Sequence, residues 1–126
     1  IELFITKDDQ VIVNELAPRP HNSGHYTIEA CSMDQFGAHI RGIAGWPLPK
    51  PKLLSPAVMV NVLGQHAEPT RALIATHPEW NVHDYGKAEV RHDRKMGHIT
   101  VLTDNPAAMV ADLEATGCWD DLKKKA

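Results

Sequence analysis

Cysteines, aromatic residues and long apolar runs are all scarce in this sequence. Of its 126 residues, two are cysteines and 6% are aromatic. Cys31 and Cys118 lie far apart and form no CxxC pair, so we expect reduced thiols of a cytosolic protein, not a disulfide scaffold or a thiolate zinc site. The longest apolar run, at residues 57–63, is far shorter than the roughly 20 residues that span a bilayer. We therefore expect no membrane association.

Basic residues are slightly fewer than acidic residues, with 13 lysines and arginines against 16 aspartates and glutamates. The formal net charge is -3, so no global basic field indicates nucleic-acid binding. The 43% hydrophobic and 23% charged residues are typical of a globular protein. No initiator Met is present and the chain opens in a strand-like run that Glu2 interrupts, which does not resemble a signal peptide. We expect a fragment of a longer protein.

The first part of the chain reads as a hairpin, a loop and a helix. Residues 1–6 and 11–15 are short β-prone runs around a polar turn. Residues 16–27 form a loop, and Ser32 to Gln35 has a capping-box pattern. A helical apolar spacing follows and ends at a glycine and a proline; its residues are Met33, Phe36, Ile40, Ile43, Gly45 and Pro47.

The second part mixes strands and helices after a linker. Four prolines between positions 47 and 56 predict a stiff connection. Asn105 followed by Pro106 predicts a helix start, and Gly117 its end. Further elements are strands at 57–63, 80–85 and 98–102 and a helix at 69–76. The class is α+β, with domains at 1–46 and 57–126 and the linker at 47–56.

Two glutamates face each other across the predicted hairpin. If the turn is centred between Asp8 and Asp9, or if a four-residue loop closes at Thr6 and Val11, Glu2 lies directly opposite Glu15 on the same face. A three-residue turn would break this pairing. Opposed carboxylates repel and weaken a sheet, whereas a magnesium ion between them would reverse that sign. Spacing alone favours the alternative, a solvent-exposed hairpin with two ordinary glutamates.

The loop after Glu15 carries groups suited to an anion. Arg19 could hold a carbonyl or phosphoryl group through its planar fork, with His21 and Asn22 as neutral donors beside it. The alternative is an ordinary polar connection. A zinc site at His21 and His25 is not favoured.

Four cations lie close together in the sequence of an otherwise acidic chain: Lys87, Arg91, Arg94 and Lys95. Two or three converging cations suit one phosphate monoester. The alternatives are a solvated charged loop or a nucleic-acid patch. The last would need interleaved aromatic residues, and residues 87–98 contain none.

Residues 13–31 read VNELAPRPHNSGHYTIEAC and resemble the ATP-grasp signature of 5-(carboxyamino)imidazole ribonucleotide synthases. The resemblance continues through residues 32–36, 59–64 and 94–98, and so covers nearly the whole chain. It implies the C-terminal edge of an ATP-grasp domain followed by a small mixed sheet and helix domain. It also implies ATP-dependent carboxylation of aminoimidazole ribonucleotide by bicarbonate, through carboxyphosphate, in purine biosynthesis.

The resemblance also implies roles for single residues. It assigns Mg²⁺ to Glu2 and Glu15, ATP to Asn14 and Glu15, and bicarbonate or carboxyphosphate to the loop containing Arg19, His21 and Asn22. It assigns the ribonucleotide phosphate to Lys87 and Arg94. The roles of Arg91 and Lys95 stay open, because either could pair with Glu89 or Asp93. The implied parent is a cytoplasmic homodimer.

Two alternatives remain. A formate-dependent glycinamide ribonucleotide formyltransferase has a similar loop, but there Asp-Thr-Gly-Met follows the Arg-Pro-His. Here Asn22 to His25 follows, which favours the carboxylating enzyme. A non-catalytic docking or dimerisation module is the other alternative. Exposed apolar surface would distinguish this module from a piece of the enzyme, because a cut ATP-grasp domain exposes side chains of its former core.

Overall fold

The computed structural model describes residues 1–123. The chain forms two compact units, Ile1–Lys52 and Leu53–Ala126. Helices and antiparallel strands occur in separate stretches, so the α+β class is confirmed. The division between the units falls inside the proline-rich stretch 47–56. None of the helices within residues 1–123 is both long and apolar enough to cross a bilayer.

The first unit opens with a hairpin of β1 (Glu2–Ile5) and β2 (Val11–Glu15). The predicted turn is wrong, since Ile5 pairs with Val11 and the Thr6 N–H donates to the Gln10 carbonyl at 2.9 Å. The turn is thus centred on Asp8 and not between Asp8 and Asp9, and Asp9 adopts φ 59°, a conformation that short polar side chains tolerate.

A 3-10 helix (Asn22–Gly24) and two α-helices, α1 (Thr27–Ala30) and α2 (Gln35–Ile43), follow the hairpin. The predicted capping box is wrong. Asp34 caps α2, and its carboxylate accepts from the N–H groups of Phe36 and Gly37. Ser32 instead accepts from the N–H of Lys52. The apolar stripe of α2 is largely exposed, with Ile43 73% exposed.

The second unit is built on a three-stranded antiparallel sheet. Its strands are β3 (Ala57–Leu63), β4 (Asn81–Asp84) and β5 (Lys95–Leu102), in the order β3-β5-β4. Helices α3 (Gly64–Leu73), α4 (Pro106–Ala115) and α5 (Asp120–Lys123) and a 3-10 helix (Ile74–Thr76) complete the unit. Its core contains Val62, Trp80, Ile99, Val101, Leu113, Cys118 and Trp119.

Predicted boundaries in this unit are confirmed in some places and wrong in others. The bounds of β3 and the Asn105 cap, which accepts from the Ala108 N–H at 3.1 Å, are confirmed. The helix predicted at 69–76 starts earlier, at Gly64, with Pro69 inside it. The strand predicted at 98–102 starts at Lys95. Central placement buries Met96 to Val101 on both faces, so β5 lacks the alternation that marks a half-buried strand.

Candidate functional site

The two glutamates of the hairpin do lie opposite each other, although not by the predicted register. The pairs from Leu3–Val13 to Ile5–Val11 follow the turn centred on Asp8, and a β-bulge before Leu3 then brings Glu2 opposite Glu15. Asn14 is the extra residue, and its side chain donates to Glu2 Oε1 at 2.5 Å. A bulge re-aims side chains locally, and here it restores the pairing that the turn would have broken.

His21 joins the two glutamates. Its Nε2 lies 2.6 Å from Glu15 Oε1, and its Nδ1 lies 3.8 Å from Glu2 Oε2. One ligand atom from each of these three residues falls within 4.8 Å of the others. The Ser23 N–H donates to His21 Nδ1 at 3.4 Å, which leaves the Nε2 proton for Glu15. The hairpin and the following loop thus converge on one acidic cluster.

Gln35 at the start of α2 holds the loop that carries His21. Its Oε1 accepts from the His21 N–H at 2.8 Å, and its Nε2 donates to the His21 carbonyl at 2.8 Å. The same Nε2 contacts His25 Nδ1 at 2.6 Å. A Cβ on Gly24 would lie 2.6 Å from Gln35 Oε1, so only glycine permits this approach. The sequence pattern assigned Gln35 to a capping box and did not indicate this role.

The cluster borders a small cavity of about 220 Å³ lined by Glu2, Glu15, Arg19, His21 and Gln35, among others. The structure therefore brings the predicted arginine to the same cavity as the predicted carboxylates. Arg19 Nη1 donates to the Pro20 carbonyl at 3.1 Å. Asn22 begins the 3-10 helix and is not among the residues lining this cavity.

The basic loop lies in the second unit, between β4 and β5. Arg91 pairs with Glu89 at 2.6 Å, and Arg94 Nη1 donates to the Glu89 carbonyl at 3.0 Å. Lys87 Nζ donates to the carbonyl of Lys95, the first residue of β5, at 2.5 Å. Of these cations, Lys87 also lines a larger cavity of about 720 Å³. Arg91 is thus engaged by an acidic neighbour, and the guanidinium of Arg94 is bonded to a backbone carbonyl.

Family models match both units. Residues 1–36 match the ATP-grasp domain, and residues 57–112 match the phosphoribosylaminoimidazole carboxylase C-terminal domain.

Curated relatives and solved structures match more of the chain. The N5-carboxyaminoimidazole ribonucleotide synthase of Staphylococcus haemolyticus is 54% identical over 83% of this chain and 28% of its own length. The Staphylococcus aureus N5-carboxyaminoimidazole synthetase, solved with ADP, is 49% identical with a TM-score of 0.87, over 90% of this chain and 31% of that one. The Aspergillus clavatus synthase, solved with ADP and 5-aminoimidazole ribonucleotide, is 34% identical with a TM-score of 0.77, over 96% of this chain and 34% of that one.

The chain thus spans roughly a third or less of the length of these relatives. The matches cover both units, and the identities lie well above the range in which only the fold can be compared. By sequence and by fold, the chain belongs to the N5-carboxyaminoimidazole ribonucleotide synthase family.

Proposed function

We propose that this chain is part of an ATP-dependent carbon–nitrogen ligase that carboxylates 5-aminoimidazole ribonucleotide with bicarbonate. ATP converts bicarbonate to carboxyphosphate, the exocyclic amine attacks its carbonyl carbon, and ADP and phosphate leave. The observation that carries the proposal is the convergence of Glu2, Glu15 and His21 at one cavity with Arg19. The 54% identical relative supports the same reaction over the formate-dependent alternative.

The acidic cluster fits a magnesium ion. Two carboxylates converge beside a cavity, and magnesium favours one or two carboxylates together with substrate phosphates. Glu2 and Glu15 would hold the ion, and when bound it would neutralise charge on the transferred phosphoryl group. Asn14 fixes Glu2 through its amide, and we place Asn14 and Glu15 beside the ATP phosphates.

The loop after β2 binds the one-carbon anion in this proposal. The Arg19 guanidinium offers a planar fork to bicarbonate or carboxyphosphate. His21 and Asn22 lie next to it in sequence and supply neutral donors, His21 through its Nε2–H once this group is released from Glu15. Gln35 holds the backbone of His21 on both its N–H and its carbonyl, so this donor is oriented before substrate arrives.

Lys87 and Arg94 bind the ribonucleotide phosphate in the same proposal. Arg91 is occupied by Glu89, and the backbone of Lys95 belongs to β5, so these two play supporting roles. Residues 1–46 belong to the ATP-grasp domain, 47–56 are a linker, and 57–126 form the small C-terminal domain. The full-length enzyme is a cytoplasmic homodimer that binds no nucleic acid.

The test uses the purified full-length parent. Phosphate release should require ATP, bicarbonate and aminoimidazole ribonucleotide together, and mass spectrometry should detect the carboxylated ribonucleotide. Turnover with glycinamide ribonucleotide and formate in place of these substrates would overturn the proposal in favour of the formyltransferase. Absence of turnover with either set would favour the non-catalytic module.

A further inference from the structure

A hydrogen-bonded cluster ties the basic loop to two elements that are distant in sequence. It contains Gln65 and His66 from the first turn of α3, Asp93 from the loop, and Asp121 from α5. We call these four residues the Gln65 cluster. Sequence separations of 28 residues between Gln65 and Asp93, and 56 between Gln65 and Asp121, mean that only the folded unit assembles it.

The side-chain amide of Gln65 makes three hydrogen bonds. Its Oε1 accepts from the Asp93 N–H at 2.9 Å, and its Nε2 donates to Asp93 Oδ1 at 3.0 Å and to Asp121 Oδ2 at 2.9 Å. Because a backbone N–H can only donate, the orientation of the amide is determined. Gln65 therefore holds Asp93 by both its main chain and its side chain.

Asp121 is held in turn by a buried histidine. His66 is 1% exposed, and its Nδ1 accepts from the Leu63 N–H at 3.3 Å. The proton therefore lies on Nε2, which donates to Asp121 Oδ1 at 2.7 Å. Hydrogen bonds from Gln65 and His66 lower the pKa of Asp121 to about 2, so its carboxylate stays charged at neutral pH.

The cluster fixes the backbone next to Arg94. Asp93 adopts φ 58°, and the Arg94 N–H donates to the Arg91 carbonyl at 3.1 Å, which closes a turn. The Arg91 carbonyl also lies so close to Gly64 that a Cβ at position 64 could not be accommodated. The loop is thus anchored on the start of α3 at two adjacent points, Gly64 and Gln65.

We propose that Gln65, braced by Asp121, is a positioning residue that holds the basic loop so that Arg94 meets the ribonucleotide phosphate. This proposal rests on the proposed function, since it takes the phosphate assignment of Arg94 as given. A guanidinium bonds an anion well only when its fork is oriented in advance. Asp121 lies outside residues 57–112, which match the C-terminal family model, so the brace comes from beyond the matched segment.

The test is a set of variants of the full-length enzyme, with KM for aminoimidazole ribonucleotide and kcat measured separately. Gln65→Leu removes all three hydrogen bonds at similar volume. Asp93→Asn keeps the Oδ1 acceptor and tolerates the positive φ, whereas Asp93→Gly keeps the backbone freedom but loses the acceptor. Asp121→Asn removes the charge of the brace, and Asp112→Asn makes the same change on the exposed face of α4.

We expect Gln65→Leu and Asp93→Gly to raise the KM for the ribonucleotide on the order of ten-fold, with kcat changed by less than about two-fold. Asp121→Asn should raise this KM less. The KM of Asp93→Asn and of Asp112→Asn should stay near that of the parent. Adding Gln65→Leu to Arg94→Ala should cost almost nothing more, because both changes remove the same interaction.

The results that would overturn the proposal reject different parts of it. A raised KM in Arg94→Ala with an unchanged KM in Gln65→Leu, or additive effects in the double variant, would reject the positioning role and leave the phosphate assignment standing. An unchanged KM in Arg94→Ala would reject the phosphate assignment, and the positioning role with it. A lower unfolding temperature in Gln65→Leu without any change in KM would show that the Gln65 cluster stabilises the fold but does not position Arg94.

Discussion

Glu15 is the residue at which removal of a single charge should have the largest effect on catalysis. It lies opposite Glu2 and 2.6 Å from His21 Nε2. In the full-length enzyme we expect Glu15→Gln to lose most turnover while the fold stays intact. Charge stabilisation by a metal is worth several kcal/mol in the transition state, and Gln is a neutral ligand of the same shape. Initial rates over a magnesium series measure the effect.

A control for this variant is Glu79→Gln, which removes one carboxylate charge from an exposed position in the second unit. Its turnover and magnesium dependence should match those of the parent. If Glu15→Gln kept near-normal turnover at low magnesium, the glutamate pair would have no role in metal binding.

Lys87 and Arg94 are the residues that should determine ribonucleotide affinity. Lys87→Ala and Arg94→Ala each remove a charge-assisted hydrogen bond to a dianionic phosphate, worth about 1.5–3 kcal/mol. We expect aminoimidazole ribonucleotide to bind on the order of ten- to a hundred-fold more weakly, with ATP affinity little changed. Separate titrations of the two ligands by calorimetry measure this.

The competing interpretations of the basic loop give different titrations. A solvated loop leaves both affinities unchanged in both variants. A nucleic-acid patch gives the parent enzyme an oligonucleotide affinity that falls steeply with salt. Either result would contradict the phosphate assignment.

Among the secondary-structure elements, the hairpin shows how far local sequence reasoning reaches. Two β-prone runs around polar residues predicted it correctly, and the opposition of Glu2 and Glu15 is confirmed. The turn was wrong by one residue, since a positive φ at Asp9 is only one of several options that the sequence leaves open. The bulge at Asn14 compensates, and no pattern in residues 11–15 indicates it.

Elements that depend on tertiary contacts were harder to predict. Helix α3 starts at Gly64 and continues through an internal proline. The buried His66 anchors its first turn. The role of Gln35 in holding the His21 backbone was also missed, because a glutamine near a helix start fits a capping box equally well. Contacts such as Gln65 with Asp121 have no local signature, since they are made only after β3, β5 and α5 have assembled.

Helix α5 is fixed to the second unit partly by Asp121, which predicts a pH dependence. A folded-state pKa of about 2, below the usual 3.8, gives stability that is present above about pH 4 and lost as the pH falls toward 2. Asp121→Asn leaves one acceptor oxygen for two donors, Gln65 Nε2 and His66 Nε2, and turns an NH2 group toward the other donor. The full-length variant should therefore unfold at lower urea than the parent at pH 7.

The difference in urea midpoint between this variant and the parent should shrink as the pH falls from about 4. Trp119, which packs against His66 at a ring distance of 6.1 Å, gives a local fluorescence signal for this unit. A midpoint difference that stayed constant down to pH 2 would show that the charge of Asp121 is not what stabilises α5.

The two units of the chain differ in how they bury apolar side chains. Among the described residues, the second unit has a buried core that includes Trp80 and Trp119 at a ring distance of 6.1 Å. In the first unit, apolar side chains on both strands of the hairpin are exposed: Leu3, Phe4, Ile5, Val11, Ile12 and Val13. A lone two-stranded hairpin is only marginally stable. This exposure favours a cut ATP-grasp domain, which exposes former core, over a non-catalytic module.

The 126-residue chain alone should therefore hydrolyse no ATP, with or without aminoimidazole ribonucleotide. It spans 28% of the length of its Staphylococcus haemolyticus relative, and its ATP-grasp match covers residues 1–36. A phosphate-release assay on the purified chain measures this directly, with the full-length enzyme as the positive control. Turnover stimulated by the ribonucleotide in the short chain would contradict the expectation.

If the parent activates bicarbonate as carboxyphosphate, one oxygen of bicarbonate is transferred to the released phosphate, and isotope labelling detects this transfer. The full-length enzyme is given ATP, aminoimidazole ribonucleotide and freshly dissolved oxygen-18 bicarbonate. The reaction is quenched before exchange with water, and the released phosphate is analysed by mass spectrometry. Each phosphate formed with product should carry one bicarbonate oxygen, because the bridging oxygen stays on phosphorus when the amine attacks carbon. Phosphate whose fourth oxygen came from the solvent would show that water attacks ATP, and would exclude carboxyphosphate as the intermediate.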